Sequence, residues 1–365
     1  MVKAPGMVDV ARLAGVSHVT VSRVLNGHPP VRPETRAKVE AAIEELGYRR
    51  NSLARALKSG RSSTIGVVIA VSELFELPRI LLGVESEAKS AGFWVTLASW
   101  QGGDQGDLEE TLSRLSDQAV EGIAVIADRP LAVEALASVH TRVPTTVVMS
   151  GQVEGTGLSF VELDQVLGAR LAVRHLLELG HSSVAHISGA LRTFDARARV
   201  EGWRAELHSA GRGEGLLLEG DFTADSGFRL ANELLERPEP LPTAIFVGND
   251  HMTMGVLAAF ARRGVGVPDD VSLVGFDDIA GAGYLVPALT TVRQDFVNLG
   301  SLSIRILTEM MRGDAPRVAR IPPDLVLRES TAAPRSGRVG QTAGTSRAAD
   351  SANAPRTSSS ALTSR

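Results

Sequence analysis

The amino-acid sequence predicts an all-α head joined to an α/β body of two lobes, with the join near residue 62. Three observations carry that prediction. Apolar residues recur at helical spacing over residues 9–46, short β-rich apolar runs alternate with amphipathic stretches from Ile65 onward, and formal charge is divided unevenly along the chain. At 365 residues the chain exceeds what one hydrophobic core commonly serves, so two or three packed units are expected.

In the head, residues 7–50, Val10, Leu13 and Ala14 fall at i, i+3 and i+4 and predict a first helix with that stripe against a core. Gly15 allows a tight turn, and Ser17 is placed to cap a second helix whose buried stripe is Val21, Val24 and Leu25. Pro33 opens a third, which buries Val39, Ile43 and Leu46 and stops at Gly47. On the second helix His18, Val19, Ser22, Arg23 and Asn26 share the other side. A valine exposed among hydrogen-bonding residues gains nothing from water, whereas a DNA major groove offers thymine methyls beside donors and acceptors. Arg23 suits guanine O6 and N7, Val19 suits a methyl, and His18 and Ser22 can bond base edges or phosphates. The competing account is an ordinary amphipathic helix with one stray valine. Charge weighs against it: residues 1–62 hold 11 Lys+Arg against 5 Asp+Glu in a chain of net charge −4.

Residues 51–61, "NSLARALKSGR", read as a polar linker with a short helical center. The body, residues 62–333, then shows "IGVVIAV", "FWVTLA", "GIAVIA", "TTVVMS", "VAHIS", "TAIFVG" and "VSLVGF" separated by helical stretches. Near-continuous apolar strands of this kind belong to parallel sheets covered on both faces. The body is too long for one sheet, so two lobes are expected, with the first crossing near Leu163 and Asp164. Residues 334–365 contain Val339 and Leu362 as their large aliphatic side chains and are expected to be a disordered basic tail.

Composition and motifs narrow the function. With no cysteine there are no disulfides or thiolate metal sites, and the reading is of an intracellular, cytoplasmic protein without a membrane-spanning run or signal peptide. No GxSxG, HExxH or GxxxxGK[ST] pattern occurs. "GRGEG", residues 211–215, lacks dinucleotide-binding spacing, and His175 and His181 flank a helix end without the company of a metal site. Asp277 and Asp278 are adjacent and diverge at a strand end. No enzymatic activity, cofactor or metal is expected. Asn249 and Asp250 follow "TAIFVG" as Asp277 and Asp278 follow "VSLVGF", at the strand ends where open α/β sheets place ligands. A helix cap at Asn249 and a strand-end turn at Asp277 are the plainer accounts.

The stretch "VDVARLAGVSHVTVSRVLNGHPPVRPETRAKVEAAIEELGY", residues 8–48, resembles the helix-turn-helix head of the lactose- and galactose-repressor (LacI/GalR) family, including its VARLAGVS…TVSRVLN spacing. The resemblance implies that the second helix enters the major groove, where His18 and Val19, just after the capping Ser17, read bases with Arg23 one turn later. Thr20, Ser22 and Asn26 then contact phosphates. It also implies a hinge helix in the minor groove, with Leu57 as the wedge and Ala54 beside it; Arg50 stands where the family usually has proline.

"ELGHSSVAHISG", "RARVEGW", "EGDFTADSGF", "IFVGNDHMTMGVLAAF" and "VPDDVSLVGFDDIAGAGYLVPALTTVRQDF" are similar to the family's effector domain, which shares its fold with periplasmic sugar-binding proteins. That likeness makes Arg199, Asn249 and Asp277 hydroxyl ligands and Phe222 and Phe296 stacking platforms. Phe75 and Pro78 become the opposite wall and Asp128 a further polar ligand. The implied protein is a homodimeric repressor of carbohydrate-utilisation genes. It binds a near-palindromic operator under control of a sugar or glycoside held between the two lobes. A sugar-responsive activator or a corepressor-dependent regulator is the alternative within the family. A sugar-binding or sugar-processing protein leaves the head without a role. The tail has no leucine heptad, which favours a dimer over a tetramer.

Overall fold

The structure, a computed structural model, describes residues 5–25, 31–48, 62–70, 76–100, 105–127, 136, 143–148 and 157–335. Asn26, Arg50, the linker with Ala54 and Leu57, Phe75, Asp128 and the tail beyond residue 335 lie outside the described residues.

The head consists of α1 (Met7–Ala14), α2 (His18–Leu25) and α3 (Pro33–Leu46). Asp9 bonds back to the Gly6 amide at 2.9 Å to open α1, and Gly15, at φ +65°, turns the chain sharply into α2. Val10, Val21 and Val39, one from each helix, are fully buried, with Ala11, Val24 and Ala42 packed around them. The buried stripe of α1 differs from the one expected. It runs Met7, Val10, Ala11 and Ala14, whereas Leu13 stands 45% exposed. Positions 7, 10, 11 and 14 center on one helical direction and Leu13 lies roughly a third of a turn away from it. Ala11 joins the core that α1 shares with α3.

Beyond the head the chain passes between two compact units after Gln165, Leu191, Ala198, Arg293 and Pro323. In the first, β1 (Thr64–Ala70), β2 (Trp94–Ser99), β3 (Gly122–Ala127), β4 (Thr145–Val148), β5 (Ser159–Leu163) and β11 (Val318–Ile321) form a parallel sheet of order β11-β5-β4-β3-β1-β2. Successive residues of β1 serve opposite faces. Val68 and Ala70 join a core with Leu108 and Leu112 of α5 (Gln105–Asp117), whereas Ile65 and Val67 join one with α4 (Leu77–Ser90) and α10 (Phe296–Met310). The last two helices meet backbone to backbone. A Cβ on Gly83 would lie 2.0 Å from the Val297 carbonyl oxygen, and one on Gly300 would lie 2.1 Å from that of Ile80.

The second unit repeats the plan. Its strands are β6 (Ala185–Ser188), β7 (Leu217–Glu219), β8 (Ala244–Val247), β9 (Ser272–Asp277), β10 (Thr290–Arg293) and β12 (Asp324–Val326), in the order β12-β10-β9-β8-β6-β7 with only β12 antiparallel. Its helices are α6 (Gln165–Glu178), α7 (Phe194–Ser209, whose first residues to Ala198 belong to the first unit), α8 (Ala224–Glu236) and α9 (Asp250–Arg263), with a short 3-10 turn at Ala282–Tyr284. In both sheets the second strand pairs on one side of the first and the third on the other. The carboxyl ends of β6 and β8 therefore flank the point where strand order reverses, the usual ligand position in such sheets. Pro334 and Arg335 still belong to this folded part, with Arg335 paired to Asp269 at 2.9 Å.

Candidate functional site

In the head, the Ser17 hydroxyl accepts the Thr20 amide at 3.2 Å and shares a 2.9 Å hydrogen bond with the Thr20 hydroxyl, so Ser17 caps α2. Cap and core together orient the helix. With Val21 and Val24 buried, His18, Val19 and Arg23 are exposed and Thr20 and Ser22 half-buried beside them. The expected residues Ser17 to Arg23 thus occupy one helix and its cap, and Val19 remains 47% exposed. An apolar side chain held open between a histidine and an arginine matches the mixed chemistry of base edges.

In the second unit, Arg199 on α7 is the focus. It is only 3% exposed, yet its guanidinium lies 3.9 Å from the centroid of the Phe276 ring and 5.7 Å from that of Phe222. Nη1 donates to the Gly248 carbonyl oxygen, and Nη2 lies 3.5 Å from Asp277 Oδ1. Gly189 and Gly248, which directly follow β6 and β8, allow this crowding. A Cβ on Gly248 would meet the Gly189 amide at 2.7 Å, and one on Gly189 would meet the Phe222 ring at 2.0 Å. Phe222 (φ +73°), Asp277 (φ +106°) and Asp278 (φ +51°) all hold left-handed backbone, a conformation that costs roughly 1–3 kcal/mol per residue and concentrates where function fixes a turn.

Asn249 is the N-cap of α9. Its Oδ1 accepts the Met252 amide at 2.8 Å, and its Nδ2 donates to the Phe222 carbonyl at 3.1 Å. The plainer cap account therefore describes its bonds here, and through them it fixes the Phe222 loop. Asp278 diverges from Asp277 and bonds Arg293 at 2.6 Å and Arg328 at 2.7 Å. Burial pushes its carboxyl up, but the bonds from Arg328 and Arg293 outweigh that and hold it below the usual range. Beneath Arg199, His186 stacks on Phe246 at 4.5 Å and packs against Trp203; burial pushes it down to about 3, so it stays neutral. His175 and His181 bond Thr331 and the Thr243, Ser272 and Ala332 group, as fastenings of the final segment.

The first unit holds the remaining described candidates. Pro78 is exposed in the first turn of α4, and next to it Arg79 lies over the ring of Phe296, 5.4 Å from its centroid. Phe296 opens α10, which Asp295 caps through the Asn298 amide at 3.0 Å, and is 6% exposed. Arg199, Phe222, Asn249 and Asp277 come together within one unit, while Pro78 and Phe296 belong to the other. Sequence reasoning missed Phe276, the platform under Arg199, because its position inside "VSLVGF" read only as core. It also missed Gly189 and Gly248, whose signal was glycine directly after a strand.

Residues 6–51 match the description of bacterial regulatory proteins of the lacI family, and residues 173–331 that of a periplasmic binding protein-like domain. Catabolite control protein A of Priestia megaterium is 35% identical over 334 residues, which cover 88% of this chain and 98% of the relative. The chain belongs to the LacI family. The ribose operon repressor of Escherichia coli (strain K12) is 36% identical over 305 residues, covering 82% of this chain and 91% of the relative. Among solved structures, the lac repressor dimer bound to operator and the anti-inducer ONPF superposes with a TM-score of 0.81 at 33% identity, covering 91% of this chain and all of that one. This LacI-family chain is accordingly a helix-turn-helix transcriptional regulator with a two-lobed effector-binding domain of parallel sheets. No helix among the described residues is long and apolar enough to cross a membrane.

Proposed function

We propose that the protein is a homodimeric repressor of carbohydrate-utilisation genes, without enzymatic activity, acting on DNA in the cytoplasm. The observation that carries this reading is the capped α2 with His18, Val19 and Arg23 turned outward in a head of the LacI family. His18 and Val19 read base edges, Arg23 pairs with guanine, and Ser17, Thr20 and Ser22 set the helix on the phosphates. A dimer places two such helices on half-sites about one helical turn apart in a near-palindromic operator.

The effector is a sugar or glycoside. Carboxylate, amide and guanidinium groups beside aromatic rings suit a ligand with many hydroxyls and apolar C–H faces. Arg199, Asp277 and Asn249 with Phe222 supply that set in one unit. The name of the ribose operon repressor points the same way. Dimerisation draws support from exposed apolar side chains. Trp94 (74%) and Leu97 (55%) stand on β2, an edge strand, with Leu82 (60%) on the neighbouring α4.

Selection of bound DNA from a random pool tests the reading. A symmetric consensus is expected, with half-site bases that change when His18 or Val19 is substituted. Binding without sequence preference at any salt concentration or with any added sugar would overturn it. Light scattering should give a dimer, and Leu97→Glu should give a monomer; a stable tetramer would refute that assignment.

A further inference from the structure

One buried acid has no part in the proposed ligand set. Asp250, the first residue of α9, is wholly buried, and its carboxylate ties three elements together. Oδ1 accepts the Thr291 hydroxyl of β10 at 2.6 Å, and Oδ2 accepts the Ile279 amide at 2.9 Å, in the turn just beyond Asp277 and Asp278. The fold has made room for it: a Cβ on Gly275, two residues before Asp277 on β9, would lie 2.2 Å from Oδ1. Both residues between Gly275–Phe276 and Ile279 hold left-handed backbone. The turn is therefore fastened from beneath by Asp250 and from outside by Arg293 and Arg328 on Asp278.

We propose that Asp250 is a positioning residue for the effector site, holding the strained Asp277–Asp278 turn so that the Asp277 carboxylate stays opposite Arg199. The inference rests on the reading of Asp277 as an effector contact. A left-handed non-glycine pair relaxes toward ordinary backbone when nothing opposes the relaxation. Rotation of the 277–278 peptide would carry the Asp277 carboxylate away from the guanidinium.

The charged groups around Asp250 are Asp278 from the turn, Arg293 from β10, Arg328 from the final segment, Arg199 and Asp277 across the site, and His251 on its own helix. Asp278 is already saturated by its two arginines. Burial first, and then the charge of Asp278, raises the Asp250 carboxyl to about 7. Around neutrality the residue exchanges a proton while keeping both partners. Protonated, it donates to the Thr291 hydroxyl and still accepts the Ile279 amide; ionised, it accepts from both. Asparagine reproduces the protonated pattern without the titration.

The test follows the Ile279 amide by hydrogen exchange on the full-length protein, using the peptide over residues 277–284, from pH 6 to 8 and corrected for intrinsic rates. In the unsubstituted protein, opening of the turn alone breaks the Ile279 bond that favours the carboxylate while Asp250 stays buried, so against the global decline in stability this local protection should grow as the pH rises. Asp250→Asn should keep some protection and lose the pH profile. Asp250→Ala should lose roughly 10–100-fold of protection, the range for a hydrogen bond to a charged group, with β8 and α9 amides unchanged. Thr291→Val, a milder cut on the same carboxylate, keeps the test open if the alanine variant does not fold. Retained Ile279 protection in Asp250→Ala, or an equal loss across the whole unit, would overturn the proposal.

Calorimetric titration with D-glucose, D-ribose and cellobiose supplies the second arm. Any of these that binds should lose about tenfold affinity in Asp250→Ala, and unchanged affinity would overturn the positioning role. Asp277→Asn tests the underlying reading separately. If that variant binds the same sugar undiminished, the effector assignment of Asp277 falls while the exchange result for Asp250 stands.

Discussion

The pairing of Arg199 with Asp277 can be weighed by a double-substitution cycle. The side chains retain 4% and 11% exposure, and the guanidinium also stacks on Phe276 and bonds the Gly248 carbonyl. Arg199→Met keeps the stem volume but removes the guanidinium that faces the Asp277 carboxylate in a poorly solvated site, and removal of one partner of a buried ion pair costs about 3–5 kcal/mol. Asp277→Asn leaves Arg199 with its carbonyl bond and its aromatic face, so its cost should be nearer 1–2 kcal/mol. The double variant strands no charge and should cost less than the sum, with a coupling of about 1–3 kcal/mol. Urea unfolding read through Trp203 reports the second unit, because the other two tryptophans, Trp94 and Trp100, lie in the first and can be changed to phenylalanine. Additive costs, within about 0.5 kcal/mol, would mean that the two groups act independently and would refute the argument that each holds the other in place.

Three further outcomes are expected. Val21→Ala removes two methyl groups from the fully buried center of the head and should cost roughly 2 kcal/mol; specific DNA binding should fall, with the Trp203 unfolding transition unchanged. Gly189→Ala would drive a Cβ into the Phe222 ring at 2.0 Å, so the response to effector should disappear while operator binding persists; an intact response would show that Phe222 is not a platform. Asp250→Asn should flatten stability against pH. The raised carboxyl means that folding stability is full below about pH 4, where folded and unfolded chains are both protonated, and declines as pH rises toward the folded value of about 7. Urea midpoints measured from pH 4 to 8 check this, and equal slopes in the two proteins would contradict it.

Most of the strands legible in the sequence have both faces covered, although the edge strand β2 was also legible through "FWVTLA". β1, β3, β8 and β9 read as unbroken apolar runs because helices pack on each side. β5, β7, β10, β11 and β12 escaped notice: they are short, "LLE", "TTVR", "VARI" and "DLV" carry polar residues at or near sheet edges, and the buried "SFVEL" of β5 is broken by Ser159 and Glu162. Within the head, local spacing alone placed Leu13 inward, since i, i+3, i+4 fits two phases of one helix. The competing phase through Met7 and Ala11 is the one that faces the core shared with α2 and α3. In the effector region, polar groups after strands were visible as residue types at strand ends, whereas the stacking of Arg199 on Phe276 was not. That contact joins α7 to β9 across 77 positions of sequence and depends on two glycines making room.

The charge pattern of the second unit bears on the effector itself. Asp278 is satisfied by two arginines, His186 is held neutral, and Arg199 already faces Asp277. An anionic ligand would have to compete with Asp277 for the guanidinium and would weaken a buried ion pair, at a cost of about 3–5 kcal/mol when one partner is lost. A neutral hydroxyl meets no such opposition. The 3.5 Å separation of Arg199 Nη2 from Asp277 Oδ1 is longer than the roughly 2.7–2.9 Å of a strong charge-assisted bond. A hydroxyl can accept from the one group and donate to the other with little displacement, and the ion pair survives as a bridged pair. Coupling to operator follows from the same economy. A ligand that prefers one arrangement of this pair by about 1–3 kcal/mol, a differential reciprocal between ligand and DNA, is enough for an allosteric response.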